Sequence, residues 1–206
     1  MSHIQPLSFV HRFEPGADPT RPPILLLHGT GGDEEDLLPF GRLVAPGSAL
    51  LSPRGKTLER GMPRFFRRLA EGVFDEEDVR ARAGELADFI AEARTAYSLA
   101  APIAVGFSNG ANIAAAVLLL RPEALAGAVL MRAMAPLRDA PKRALSGKPV
   151  LLISGERDPI VPPESIARLA DALTRAGARV RREALPAGHP LTQADAALAK
   201  DWIGSL

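Results

Sequence analysis

Ile24 to Leu27, Ala49 to Leu51, Ile103 to Val105, Ala128 to Met131 and Val150 to Ile153 are short, unbroken apolar runs rich in Val, Ile and Leu. Runs of this length suit strands that are covered on both faces, as in a parallel sheet. Between them the pattern turns helical. Val79, Ala83, Leu86, Ile90, Ala93 and Tyr97 recur at steps of three and four, as do Ile166, Leu169, Ala170 and Leu173. Leu191, Ala194, Leu198 and Trp202 predict a last amphipathic helix. Strand and helix alternate along the chain, which predicts an α/β fold with a mostly parallel central sheet flanked by helices. Leu7 to Phe13 is expected to supply an antiparallel edge strand, and Arg179 to Ala184 reads as extended.

The chain of 206 residues is expected to form one domain, residues 1–206, on a scale of about 100 to 200 residues per domain. A net charge of +1 gives no general attraction to nucleic acid or to an acidic membrane. The absence of cysteine excludes disulfides, thiolate nucleophiles and cysteine metal sites. Met1 to Phe13 has neither a basic start nor an apolar core of the export type, so cytoplasmic residence is the simplest expectation. The longest apolar stretch, Ile113 to Leu120, falls well short of the roughly 20 residues that span a bilayer. It reads as a buried helix.

Gly106-Phe107-Ser108-Asn109-Gly110 joins the run Ile103 to Val105 to the Ala/Leu-rich run Ala111 to Leu120. That is a strand, a sharp turn carrying a serine, and a helix, which is the context a G-x-S-x-G nucleophile turn requires. Glycine is needed two residues before and after the serine because strand and helix approach too closely for side chains there. The amide of Asn109 and the start of the helix would both favour an oxygen anion beside Ser108. The plainer alternative is a turn serine that caps the helix.

A serine nucleophile needs a base, and His189 in Ala187-Gly188-His189-Pro190 precedes the last helix, where that base is expected in chain order. A loop histidine bonded only to backbone is the alternative. Asp158, in Ser154-Gly155-Glu156-Arg157-Asp158-Pro159, follows a buried run at the carboxyl end of a strand and is expected to orient His189. Glu156 is a nearby rival and Asp195 a more distant one; an aspartate that merely opens an Asp-Pro turn is the bland reading. A second oxyanion amide is expected from Thr30 in Leu27-His28-Gly29-Thr30-Gly31-Gly32, beside that of Asn109. His28 is expected to brace this loop, while His3 and His11 sit near the N-terminus on an exposed edge. The glycines do not match a phosphate loop. Asp75-Glu76-Glu77-Asp78 is expected to be the acidic first turn of a helix rather than a metal site, and no metal ligand set is assigned.

These segments, together with Leu26-Leu27-His28-Gly29-Thr30-Gly31-Gly32-Asp33, Gly106-Phe107-Ser108-Asn109-Gly110-Ala111-Asn112 and Gly188-His189, resemble the phospholipase/carboxylesterase family of α/β-hydrolases over nearly the whole chain. The resemblance is strongest to the bacterial carboxylesterase-like branch that includes hydrolases linked to hydroquinone resistance, where Pro63-Arg64-Phe65-Phe66-Arg67-Arg68 also has a counterpart. It implies an α/β-hydrolase fold and serine esterase or thioesterase activity with no cofactor. The acyl-protein thioesterase branch usually carries Gln where Asn109 stands and Leu where Thr30 stands, which points away from long-chain thioesters and phospholipids.

The expected activity is therefore hydrolysis of small soluble carboxylic esters through an acyl-Ser108 intermediate. Two alternatives are an acyl thioesterase or lysophospholipase acting on longer chains, and a non-catalytic fold that binds a ligand. A homodimer is the base-rate expectation for a soluble enzyme. For substrate contacts, Arg64 and Arg67 with Phe65 could hold an acidic group beside an apolar one, and Met134 could form a second wall. The bland alternative is a solvated loop face with the phenylalanines buried beneath it. Pro53 to Asp75 is expected to be irregular, broken by Gly55, Gly61 and Pro63. Ala133 to Lys148, interrupted by Pro136 and Pro141, is too short for a helical cap, so the site is expected to be open.

Overall fold

A computed structural model of the chain describes residues 7–139 and 144–206; His3 and Pro141 lie outside them. The strands β1 (His11–Glu14), β2 (Ile24–Leu27) and β3 (Leu50–Pro53) are followed by two hairpins, β4 (Thr57–Glu59) with β5 (Met62–Arg64) and β6 (Arg68–Ala70) with β7 (Val73–Phe74). Then come β8 (Ile103–Phe107), β9 (Gly127–Met131), β10 (Pro149–Gly155) and β11 (Arg179–Leu185). The helices are α1 (Leu38–Val44), α2 (Glu76–Tyr97), α3 (Asn109–Leu120), α4 (Pro163–Arg175) and α5 (Gln193–Gly204).

A seven-stranded sheet runs in the order β1-β3-β2-β8-β9-β10-β11. Only β1 is antiparallel, pairing with β3 at the edge. This is the α/β-hydrolase type of architecture, with a mainly parallel sheet between helices.

The apolar runs form strands because both of their faces find cover. Leu25 and Leu27 point to a core shared with α2, α3 and α4, whereas Ile24 and Leu26 point to one shared with α1 and α5. Alternation with period two sends consecutive side chains to opposite layers. The middle of the sheet is therefore apolar throughout: β2 and β9 have no exposed position. At the open edge, β11 carries exposed Arg179, Arg181 and Arg182, charges that discourage pairing with another chain.

The helix at Glu76 starts as its acidic turn predicts. Asp75 is the N-cap and accepts from the Asp78 amide, and Glu76, Glu77 and Asp78 occupy the positive end of the helix dipole.

The structure departs from the sequence pattern in two elements. The segment from Pro53 to Asp75 is not irregular, because its glycines make turns. Arg60 and Gly61 have φ of 52° and 82°, and they link Glu59 to Met62 in register. That is the positive-φ pair a two-residue hairpin turn requires. The buried face of α5 is also rotated by about one residue. It comprises Asp195, Ala196, Ala199, Trp202 and Ile203, while Ala194 is exposed. A carboxylate at the start of the inward stripe disguised its register.

Candidate active site

The strand β8 brings the chain to the carboxyl edge of the sheet, and it turns at Ser108 into α3. Ser108 has φ 52° and ψ −114°, a backbone that costs a residue with a side chain on the order of 1–3 kcal/mol. The turn is held by the Ser108 amide, which donates to the Met131 carbonyl at the end of β9 (2.9 Å). The flanking glycines are steric necessities. A Cβ on Gly106 would stand 2.7 Å from the Ala111 nitrogen, and one on Gly110 would fall onto the Leu27 carbonyl.

His189 lies in the loop between β11 and α5. Its Nε2 is 3.0 Å from Ser108 Oγ and its Nδ1 is 2.8 Å from Asp158 Oδ2. The other Asp158 oxygen, Oδ1, accepts from the amides of Ile160 (2.8 Å) and Val161 (3.2 Å). With a carboxylate as acceptor, Nδ1 carries the proton and the Nε2 lone pair faces the serine hydroxyl. The Asp158 side chain is 1% exposed and that of His189 18%, so a substrate can reach the imidazole but not the carboxylate. Glu156 is exposed, and Asp195 is engaged elsewhere.

Thr30 is exposed just beyond β2. Its loop lies against the first turn of α3, since the Gly110 Cα faces the Leu27 and His28 carbonyls. Asn109 opens α3, and the first amides of a helix have no intrahelical acceptor. The Asn109 side chain acts separately from its amide, with Oδ1 accepting from the Phe65 amide at 2.7 Å. With Gly31 N–H donating to the Pro63 carbonyl at 2.9 Å, this latches the β4–β5 hairpin to both the Thr30 loop and the serine turn.

His28 is buried and spans two loops. Its Nδ1 lies 2.6 Å from the Gly29 carbonyl and its Nε2 accepts from the Gly55 amide at 3.0 Å. Accepting at Nε2 fixes a neutral ring protonated at Nδ1, and burial pushes its pKa below the ordinary histidine value. Folding therefore opposes protonation of His28, and protons favour the unfolded chain below the unfolded histidine's pKa of about 6.5. The stability contributed by the neutral ring is complete above that pH and is lost as pH falls from it through the lowered folded-state value. Melting temperatures measured from about pH 8 to 5 should drop more steeply for wild type than for His28→Gln. Equal slopes would remove His28 as a linked group.

The arginine cluster is already partnered. Arg64 is 2% exposed; its guanidinium donates to Glu59 and to the Phe66 carbonyl. Arg68 also bonds Glu59, and Arg67, at the surface, bonds Asp75. Phe65 and Phe66 are buried, with Phe65 4.7 Å from the His28 ring. Met134 is buried too, and its amide donates to Asn112 Oδ1 at 2.8 Å. The structure thus gives Arg64 and Arg67 carboxylate partners within the protein, and it buries Phe65 and Met134 with their amides held by the side chains of Asn109 and Asn112.

Sequence patterns did not flag Arg132. It follows β9 directly, and its side chain is fully buried against Asp195, which is equally buried. The one signal in the sequence was a charged residue immediately after an all-apolar strand.

Among the described residues, no group of three or more His, Asp or Glu could hold a metal ion, and no helix is long and apolar enough to cross a membrane.

Comparison with known proteins agrees with this fold. The phospholipase/carboxylesterase family model matches residues 10–205. The MhqD protein of Bacillus subtilis (strain 168) is 46% identical over 181 residues, which cover 87% of this chain and 90% of MhqD. The crystal structure of the Bacillus cereus carboxylesterase superposes with a TM-score of 0.93 at 44% identity, covering 96% of this chain and 94% of that one. The carboxylesterase from Mesorhizobium loti gives a TM-score of 0.92 at 32% identity over 97% of this chain and 96% of its own.

Proposed function

The chain belongs to the phospholipase/carboxylesterase family of α/β-hydrolases, and from that premise we propose that it hydrolyses small soluble carboxylic esters through an acyl-Ser108 intermediate. The observation that carries this reading is the hydrogen-bonded line from Ser108 Oγ to His189 Nε2 and from His189 Nδ1 to Asp158. As Ser108 Oγ attacks the ester carbonyl, its proton passes to His189 Nε2. The carbonyl oxygen becomes an anion that the Thr30 and Asn109 amides would hold. Collapse of this adduct expels the alkoxide, which takes the proton from Nε2 and leaves as an alcohol. Water then attacks the acyl-serine with His189 again as base, releasing the carboxylic acid and restoring Ser108.

Two features support a small substrate. The connection from β9 to β10 carries no helix among its described residues, so those residues build no cap that encloses a long acyl chain. The β4–β5 hairpin lies close over the Thr30 loop, with Met62 near Gly31.

Hydrolysis of acetyl, butyryl, octanoyl and palmitoyl p-nitrophenyl esters should show activity concentrated on the short chains, and a serine-reactive phosphonate should add one label at Ser108. A preference for long chains would replace this reading with a lipid or thioester hydrolase. No turnover and no label would leave a binding fold.

A further inference from the structure

The end of β9 touches Ser108 and both chain neighbours of His189. Met131 accepts the Ser108 amide, and the next residue, Arg132, donates its own amide to the Ile153 carbonyl at 2.9 Å. The backbone there is left-handed, with φ 56°. From this turn the guanidinium runs through the interior. Nη1 donates to Asp195 Oδ1 at 2.7 Å and Nη2 to Asp195 Oδ2 at 3.0 Å, with neither side chain exposed. Nε donates to the Gly188 carbonyl at 2.9 Å, and Nη2 reaches the Pro190 carbonyl at 3.4 Å. Gly188 and Pro190 are the residues on either side of His189.

We infer that Arg132 is a positioning residue that sets the His189 loop against the serine turn through the carbonyls of Gly188 and Pro190, with Asp195 as its anchor. Asp195 is itself fixed, because Oδ2 accepts the Thr192 amide and hydroxyl, both at 2.8 Å, in the capping box of α5. The same loop is gripped on its upstream side, where the Arg157 side chain donates to the Pro186 carbonyl and the Arg157 amide to Ala187. A buried ion pair serving stability alone needs only Asp195. A planar guanidinium can grip a carboxylate and still present further N–H groups, which a lysine ammonium cannot do in the same fixed plane. The arrangement ties nucleophile and base to one dipeptide, Met131-Arg132, so that their separation does not depend on an otherwise exposed loop.

This inference rests on the esterase reading with His189 as base. It is tested with Arg132→Lys and with Arg132→Met combined with Asp195→Asn, a double change that leaves no lone buried charge. The readouts are kcat and KM for p-nitrophenyl butyrate, the melting temperature, and the low-field NMR resonance of the His189 Nδ1 proton. Arg132→Lys should melt near wild type, since its ammonium still faces Asp195. Its kcat should nevertheless fall roughly 10²-fold, the scale of a misplaced catalytic group. KM should stay within about twofold, and the Nδ1 resonance should shift or broaden. The double variant should move kcat and the resonance in the same direction.

A folded Arg132→Lys protein with wild-type kcat and an unchanged resonance would overturn the inference. So would a kcat loss that follows only a lower melting temperature while the resonance stays put. If wild type shows no serine-dependent hydrolysis, the esterase reading fails, whereas the resonance in Arg132→Lys still decides whether Arg132 holds the ring.

Discussion

Replacing Ser108 with alanine is expected to lower kcat for a short p-nitrophenyl ester by about 10⁴- to 10⁶-fold, the range seen when the nucleophile of a serine hydrolase is removed. The change deletes one oxygen and the 3.0 Å contact to His189 Nε2. The bonds that shape the turn remain, because the donation from residue 108 to the Met131 carbonyl is made by backbone. The alanine keeps the same positive φ that serine already tolerates. Thermal melts should therefore overlay within a few degrees while phosphonate labelling disappears. Turnover reduced by less than about tenfold would assign the nucleophile to another residue.

The second large effect is expected from Asp158→Asn, a near-isosteric change predicted to cost about 10⁴-fold in kcat. The reason lies in how the carboxylate is divided. Oδ1 accepts from the Ile160 and Val161 amides, and Oδ2 faces His189 Nδ1. An asparagine must keep its oxygen toward the two amides, which can only donate, so its NH₂ group points at Nδ1. Nδ1 must then accept, the ring proton moves to Nε2, and Nε2 can no longer take the proton from Ser108. KM should change little, since no substrate contact is lost. Activity within about tenfold of wild type would place the orienting group elsewhere.

The strand runs, the glycines around Ser108, and the order of Ser108, Asp158 and His189 are all legible in the sequence. Each is a local constraint: a strand covered on both faces is apolar at every position, and a turn packed under a helix cannot carry Cβ atoms at its flanks. The hairpins between Pro53 and Asp75 are less legible because the glycines that break helices and strands also make their turns. The register of α5 is hidden by Asp195, a charged residue on the face that is buried.

Sequence by itself therefore determined the layer architecture, the family and the three side chains brought into one hydrogen-bonded line, since periodicity, close approach and chain order are properties of short segments. Tertiary structure alone decided where the charges go. Arg64 turned inward to Glu59 and Phe66, and Arg67 paired with Asp75. Arg132 and Asp195, 63 positions apart, met in the interior beneath His189. A guanidinium spelled in a sequence carries no record of its partner. That partner is chosen by the three-dimensional requirement that a charge removed from water be matched by an opposite charge and by carbonyl oxygens within hydrogen-bond reach.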